Sequence, residues 1–407
     1  MNSPQLLILG NGFDAHCGLK SAYKDFFRST IFDMAGERFG LKQLQVGVNG
    51  FWEELFLEYH KIDPKDDFKW CNVEEIIKNA LWLIYYGESL ESLSLENGLW
   101  REALYFIKDK RDLIDDKIYR DSPIVRYIFV RIVKLFESIK FEPYSIEEKL
   151  HLLSDQLFQG LNILEKRFCK YLKNQIINPH YENERNEEYI IKAVNLLARL
   201  TGFVHYKFNK IDDFITVESK KYLIDVFDNL SDVFILNFNY TALFDILEVE
   251  SPCYYNNVHG KLCNNICSHG CDKSNIIFGI DDNLIQSQGT SFELRVFSKT
   301  YRKMLDSDKY ITALPQNDGK ELAIKFYGHS LSEADYSYFQ SIFDYYDLYK
   351  NSNVSLTFYY SNGFENYDAV YKLISVYGKS LTNKEQGKNL IHKLLLENRL
   401  HISEIKE

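Results

Sequence analysis

The stretch Leu6–Gly18, LLILGNGFDAHCG, constrains the fold more than any other part of this 407-residue chain. Four apolar residues, Leu6 to Leu9, suit a short strand buried in a parallel sheet. Gly10-Asn11-Gly12 follows at once, and Phe13 onward opens a helix. A strand that turns on glycines into a helix gathers bare N–H groups and a positive dipole end at one spot. Glycine there lets the backbone approach a phosphate that a side chain would hold off. Gly10, Gly12 and Ala15 also fit the dinucleotide fingerprint G-x-G-x-x-G/A. An ordinary tight turn has the same spelling. Asp14, moreover, sets a carboxylate beside the anion site, which costs energy unless it faces a ribose hydroxyl or a cation.

Composition narrows the class. Apolar residues make up 45%, with 29 Tyr and 29 Phe, so a large core can be buried. A net charge of -10 argues against general nucleic-acid binding through a basic surface. Lys299, Arg302 and Lys303 form a local basic cluster, read as a solvated face or a small anion site. No segment reaches the roughly 18 apolar residues of a membrane span. The N-terminus has no cationic signal region, and seven cysteines, an odd number, suit a reducing compartment. The expectation is a soluble, cytoplasmic protein.

Beyond the opening unit the pattern becomes helical. Asn72 with Glu75 resembles a capping box, and Pro123 precedes a helical run to Ile139. Ser145 starts the clearest helix, with apolar positions from Ile146 to Leu172 at three- and four-residue intervals before Pro179. Further helices are predicted over about Tyr189 to Leu200 and Lys221 to Leu230. The texture changes at Asp232. VFILNFN (Val233 to Asn239) reads as a buried strand, and Tyr254–Val258, Asn275–Phe278, Leu322–Tyr327 and Val354–Tyr360 as further strands. Helices are predicted at Ala334–Tyr349, Tyr367–Val376 and Gln386–Ile405. Strands alternating with helices predict an α/β fold with a Rossmann-like parallel sheet. Its core is divided between residues 1–50 and 231–407, with a large all-helical insertion at 51–230.

Parallel sheets bind ligands at the carboxyl ends of their strands. That rule gathers Gly10-Asn11-Gly12, Asn237-Phe238-Asn239-Tyr240-Thr241, Val258-His259-Gly260 and Gly328-His329-Ser330 around one crevice. Each has an ordinary reading as well: Asn239 or Thr241 as a helix cap, His-Gly as a turn. Together they suit cleavage of the nicotinamide–ribose bond of NAD. Nicotinamide is already a cationic leaving group, so the site chiefly positions water and stabilises an oxocarbenium-like sugar. Asn239 and His259 are the catalytic candidates. Gly10, Asn11, Gly12, Asp14, Thr241, Gly328, His329 and Ser330 are the nucleotide-binding candidates.

The wording LLILGNGFD, ILNFNYT, NNVHGKL, IIFGIDD and YGHSLSEADYSYFQSIF resembles the AbiH family of bacteriophage abortive-infection proteins. WCNVEE, at Trp70 to Glu75, echoes a family Trp-acid motif. The set also resembles sirtuins and sirtuin-like NAD-cleaving defence domains, which carry G-A-G-x-S-x-x-x-G-I, then x-N-x-D, His-Gly and G-x-S. In that register Asn239 matches the motif asparagine, His259 the catalytic histidine, and Gly328 with Ser330 the ribose turn. Asp14 stands in place of a small hydroxyl and Thr241 in place of an acid, which leaves open another nucleotide or none. Glu74 is a candidate substitute carboxylate.

The resemblance implies a sirtuin-like core and an anti-phage effector hydrolysing NAD as substrate, gated by a phage-derived trigger or a defence partner protein. Homo-oligomerisation is expected to accompany that gating. The alternative is a non-hydrolytic nucleotide-binding sensor or scaffold. Cys263, Cys267 and Cys271, with His269, follow the His-Gly turn where sirtuins place a zinc module. Their spacing permits a structural zinc site or a reduced surface loop.

Overall fold

The computed structural model describes residues 3–32, 50–53, 55–56, 73–74, 76–78, 80–81, 146–176, 187–202, 230, 232–247, 251, 253–262, 274–281, 295–305, 314–332, 335–361 and 366–405. The helices predicted around Asn72–Glu75, Pro123–Ile139 and Lys221–Leu230 fall wholly or partly outside these residues. The chain clusters into two compact units. One comprises Met1–Ser21, Leu172–Ile276 and Ser307–Glu407; the other comprises Ala22–Tyr171 and Ile277–Asp306.

The first unit is built on six strands: β1 (Gln5–Leu9), β2 (Val233–Asn237), β3 (Tyr254–Asn257), β4 (Leu322–Tyr327), β5 (Val354–Tyr360) and β6 (Leu400–Glu404). Every pairing is parallel, and the order is β3-β2-β1-β4-β5-β6, that of Rossmann-like sheets. Leu6, Leu7 and Ile8 are fully buried at its centre, as a strand flanked on both sides must be. Each such side chain contributes roughly 1.5–3 kcal/mol of apolar burial. Strands are added leftward from β1 to β3 and rightward from β4 to β6, so a topological switch point lies at the carboxyl ends of β1 and β4.

Helices α1 (Asn11–His16), α2 (Tyr23–Phe26), α3 (Ile146–Ile176), α4 (Glu187–Thr201), α5 (Leu243–Leu247), α6 (Lys299–Leu305), α7 (Tyr336–Tyr345), α8 (Tyr367–Ser380) and α9 (Lys384–Leu396) complete the described elements, with a π-helical stretch at Phe27–Phe32. The carboxyl end of α4 is tied to the sheet. Lys325 Nζ donates to Leu200 O at 2.8 Å and to Gln5 Oε1 at 2.7 Å. A cation there complements the negative end of the helix dipole.

Two predicted elements come out differently. Asn275–Phe278 forms no strand; this segment is held as a loop, with Asn275 N–H on Lys261 O and Asn275 Oδ1 accepting from Lys261 N–H. The helix expected to run to Ile405 stops at Leu396, and Leu400–Glu404 become β6. Asn398 turns left-handed at φ 53°, its N–H reaches Leu395 O, and Arg399 N–H reaches Leu394 O. That pair of bonds is a Schellman termination, with Asn in the place glycine usually takes.

The described residues of the second unit include an aromatic cluster. Tyr23, Phe26, Phe27, Phe56, Phe168 and Phe278 interlock, with Tyr23 and Phe278 edge-on at 4.8 Å. Lys299 is buried and paired with Glu74, so the basic cluster is not a solvated face. Arg302 forks onto Glu165 and donates to Phe278 O at 2.9 Å. Burying these ions is offset by pairing, and removing one partner would strand the other.

Candidate functional site

Three strand ends and two loops of the first unit meet in one polar network. After β1, the helix α1 is only six residues long, and the Gly12 and Phe13 amides in its first turn are engaged by protein. Gly12 N–H donates to Gly328 O at 2.7 Å, and Phe13 N–H to Gly10 O at 2.9 Å. A Cβ on Gly10 would lie 2.4 Å from His329 Cα, and one on Gly12 would lie 2.6 Å from Gly328 Cα. Gly328 itself is left-handed, at φ 67°. Glycine is thus required here for the contact of two backbones.

Asp14, on α1, is buried, and its carboxylate accepts from three hydroxyls. Tyr189 reaches Oδ1 at 2.9 Å, Thr241 reaches Oδ2 at 2.7 Å, and Ser21 adds a third bond. Burial nonetheless dominates and pushes its pKa up to about 6, against the pull of those donors. Asn11 Nδ2 donates to Ser21 Oγ at 2.9 Å. A void of about 10 Å³, room for a single water, adjoins Asp14, Tyr189, Asn237 and Tyr255. The strand-end asparagines fix the following loop. Asn237 Nδ2 donates to Thr241 O at 2.7 Å, and Asn257 Nδ2 to Asn239 O at 2.7 Å and Thr241 O at 3.0 Å.

Beside this cage lie the two residues expected to do chemistry. Asn239 Nδ2 donates to Gly10 O at 3.0 Å, which fixes the amide's orientation; its Oδ1 is buried with no hydrogen-bond partner among the described residues. An unsatisfied buried acceptor is costly, and a donor from water or from a ligand would satisfy it. His259, 1% exposed, sets Nε2 2.8 Å from Asp335 Oδ1. The other carboxylate oxygen, Oδ2, lies 3.4 Å from His329 Nε2. His329 Nδ1 accepts from Leu331 N–H at 2.9 Å, so its remaining proton sits on Nε2 and faces Asp335. Phe238 presents its ring edge-on to both imidazoles, at 5.3 Å and 4.6 Å. The Asp335 carboxylate therefore lies between the two imidazoles, one oxygen facing each ring.

The predicted residues divide as follows. Gly10, Gly12 and Gly328 form the loop–loop contact; Asn11, Asp14 and Thr241 join the hydroxyl cage; His259 and His329 flank Asp335; Asn239 reaches Gly10 O; Ser330 is exposed. Cys263, Cys267, His269 and Cys271 lie outside the described residues. Among the described residues, no group of three or more His, Cys, Asp and Glu side chains is placed to hold a metal ion. In the sequence Asp335 stands inside the predicted helix Ala334–Tyr349, where a first-turn carboxylate needs no further explanation, and Tyr189, Ser21 and Asn257 carry no motif that singles them out. A carboxylate six residues beyond His329, and a third strand-end asparagine at Asn257, were the available signals.

No helix among the described residues is long and apolar enough to cross a membrane. No curated protein and no solved structure matches the sequence. The family described as "Bacteriophage abortive infection AbiH" matches residues 6–360, from the first strand through the last residue of β5, and so spans the whole network. The chain belongs to the AbiH family of bacteriophage abortive-infection proteins.

Proposed function

We propose that this abortive-infection protein acts by hydrolysing NAD, or a related nucleotide, at the nicotinamide–ribose bond. The observation that supports it is the His259–Asp335 pair, together with Asn239 and its unsatisfied Oδ1 after β2, at the carboxyl edge of a sheet whose order is that of dinucleotide-binding folds. In this reading the Asp335 carboxylate, 2.8 Å from His259 Nε2, favours the proton on that nitrogen and leaves Nδ1 to accept one. In the proposed reaction a water oxygen bonds to the ribose C1′ as the C1′–N bond breaks. The bonding pair departs with nicotinamide and neutralises its ring. The water's proton passes to His259 Nδ1 and then to solvent, giving ADP-ribose, nicotinamide and a proton. Asn239 Oδ1 accepts a hydrogen bond from the attacking water or from a ribose hydroxyl.

The Gly10–Gly12 and Gly328–Ser330 loops would border the nucleotide. Since Gly12 N–H already serves Gly328 O and His259 is buried, binding requires those loops to part. A trigger that separates them would explain how such an enzyme is borne by its host. The same closure favours a second reading, a sensor that binds a nucleotide and hydrolyses nothing. Incubating the purified chain with NAD and NADP, with and without phage lysate, separates the two. Chromatographic release of nicotinamide, abolished in Asn239→Ala, is the hydrolase outcome. Tight binding with no release under any condition is the sensor outcome.

A further inference from the structure

The reaction proposed above leaves Asp14 unused. Its carboxylate is 1% exposed, and none of its bonds among the described residues comes from a cation. Tyr189, Thr241 and Ser21 all donate hydroxyl protons to it. A ring of donors serves the anion. The neutral acid has a proton to give, and only those hydroxyl oxygens, or a water in the adjoining void, to receive it. Burial pulls the other way, because a charge withdrawn from water without a counterion is costly. The cage thus sets two opposed demands on one carboxyl group.

The ionisable groups that face Asp14 are Cys17 on the same helix, Tyr189 on α4 and Tyr255 on β3. Burial first, and then the Asp14 charge, holds all three above their ordinary ranges. Lys192 and Arg199 of α4 act on Cys17, and Lys192 pairs with Glu188. Asp14 is also tied to the parts that close the site. It rides two residues behind Gly12, whose N–H holds Gly328 O at 2.7 Å. Ser21 binds Asn11 of the glycine turn, and Thr241 belongs to the loop that carries Asn239. A helix of six residues moves as a unit, so lifting Gly12 from Gly328 draws Asp14 from its donors toward water.

We propose that Asp14 is a proton-linked catch on the glycine turn: neutral, it rests in the hydroxyl cage and keeps the loops closed; ionised, it favours their parting. A hydrated carboxyl ionises near the ordinary 3.8, whereas burial raises the caged one to about 6. By linkage, opening is insensitive to pH below about 4, grows as pH rises toward 6 and is level above it, a span of about a hundredfold for two pH units. The consequence for catalysis rests on the reading of these loops as a nucleotide's entrance. The opening itself needs no nucleotide, so the two can fail separately.

Hydrogen exchange of the Gly12 amide in the full-length protein reads the opening directly. Corrected for the intrinsic pH dependence of exchange, its opening constant is expected to rise roughly fiftyfold between pH 4 and 7, then level. The amide of fully buried Leu356, held by Arg399 O, should exchange more slowly at every pH, which separates local opening from global unfolding. In Asp14→Asn the rise should vanish. Tyr189→Phe takes one donor from the anion and should extend the rise by roughly one pH unit or more. That variant decides the matter if Asp14→Asn does not fold. A Gly12 amide that opens equally at pH 4 and 7, or exchanges only together with Leu356, overturns the proposal. So does a rise that persists in Asp14→Asn or levels at the wild-type pH in Tyr189→Phe. A pH-linked opening in a protein that never releases nicotinamide would keep the catch and remove the NAD reading.

Discussion

Asp14 shows how one residue couples the opening turn to the rest of the network. Its folded pKa of about 6 stands above the ordinary 3.8 because burial outweighs three donated hydrogen bonds. The folded state then holds the proton more tightly than the unfolded chain. This group's contribution to stability is complete below about pH 4, is lost as pH rises through about 6, and is level above that. The span corresponds to about 3 kcal/mol. Denaturant unfolding should therefore show the stability of wild type relative to Asp14→Asn falling by about that amount between pH 4 and 7. A difference independent of pH contradicts it.

Gly12 gives a second test at this scale. With a Cβ 2.6 Å from Gly328 Cα, Gly12→Ala should lower stability by about 1–3 kcal/mol, read from the same unfolding curves. An unchanged midpoint would mean the loops are not in contact. The glycines were legible as a place of close backbone approach, but the sequence suggested a phosphate where the fold puts Gly328. Asp14 was legible as an awkward charge. Its partners were not, because Tyr189 and Thr241 are 175 and 227 residues away and no local pattern joins them.

At the level of elements, strands were read most accurately where apolar runs end in polar residues. Leu322–Tyr327 and Val354–Tyr360 match their predicted bounds, since a central parallel strand needs side chains that bury on both faces. The end of α9 was misread because Leu400, Ile402 and Ile405 continue a helical spacing, while the stop signal was an asparagine in place of glycine. Asn398→Gly should raise stability slightly or leave it unchanged. Asn398→Val, β-branched at φ 53°, should lower it by about 1–2 kcal/mol. Equal melting temperatures for the two variants would contradict the left-handed turn. The cost of that turn is offset by Arg399, whose guanidinium donates to Val354 O and Leu348 O and locks the returning strand against β5.

Across the whole molecule, the sheet order does what no single motif can. It brings Gly10, Asn239, His259 and Gly328, scattered over more than three hundred residues, to the carboxyl edge of one sheet. The alternation of strands and helices made that sheet legible, and the rule that ligands gather at strand ends directed attention to these residues. Asp335 was hidden because a carboxylate in a helix's first turn is explained without any chemistry. The closed contact of the glycine loops was hidden because it depends on two strands meeting from opposite ends of the chain. The measurement that bears most directly on the account is nicotinamide release from NAD by the purified protein, triggered with phage lysate, for wild type, His259→Ala and Asp335→Asn. The account predicts turnover in the wild type and a loss of about a hundredfold or more in both variants, with nucleotide binding retained. Turnover that survives His259→Ala, or a wild type that binds NAD and never releases nicotinamide, would contradict it.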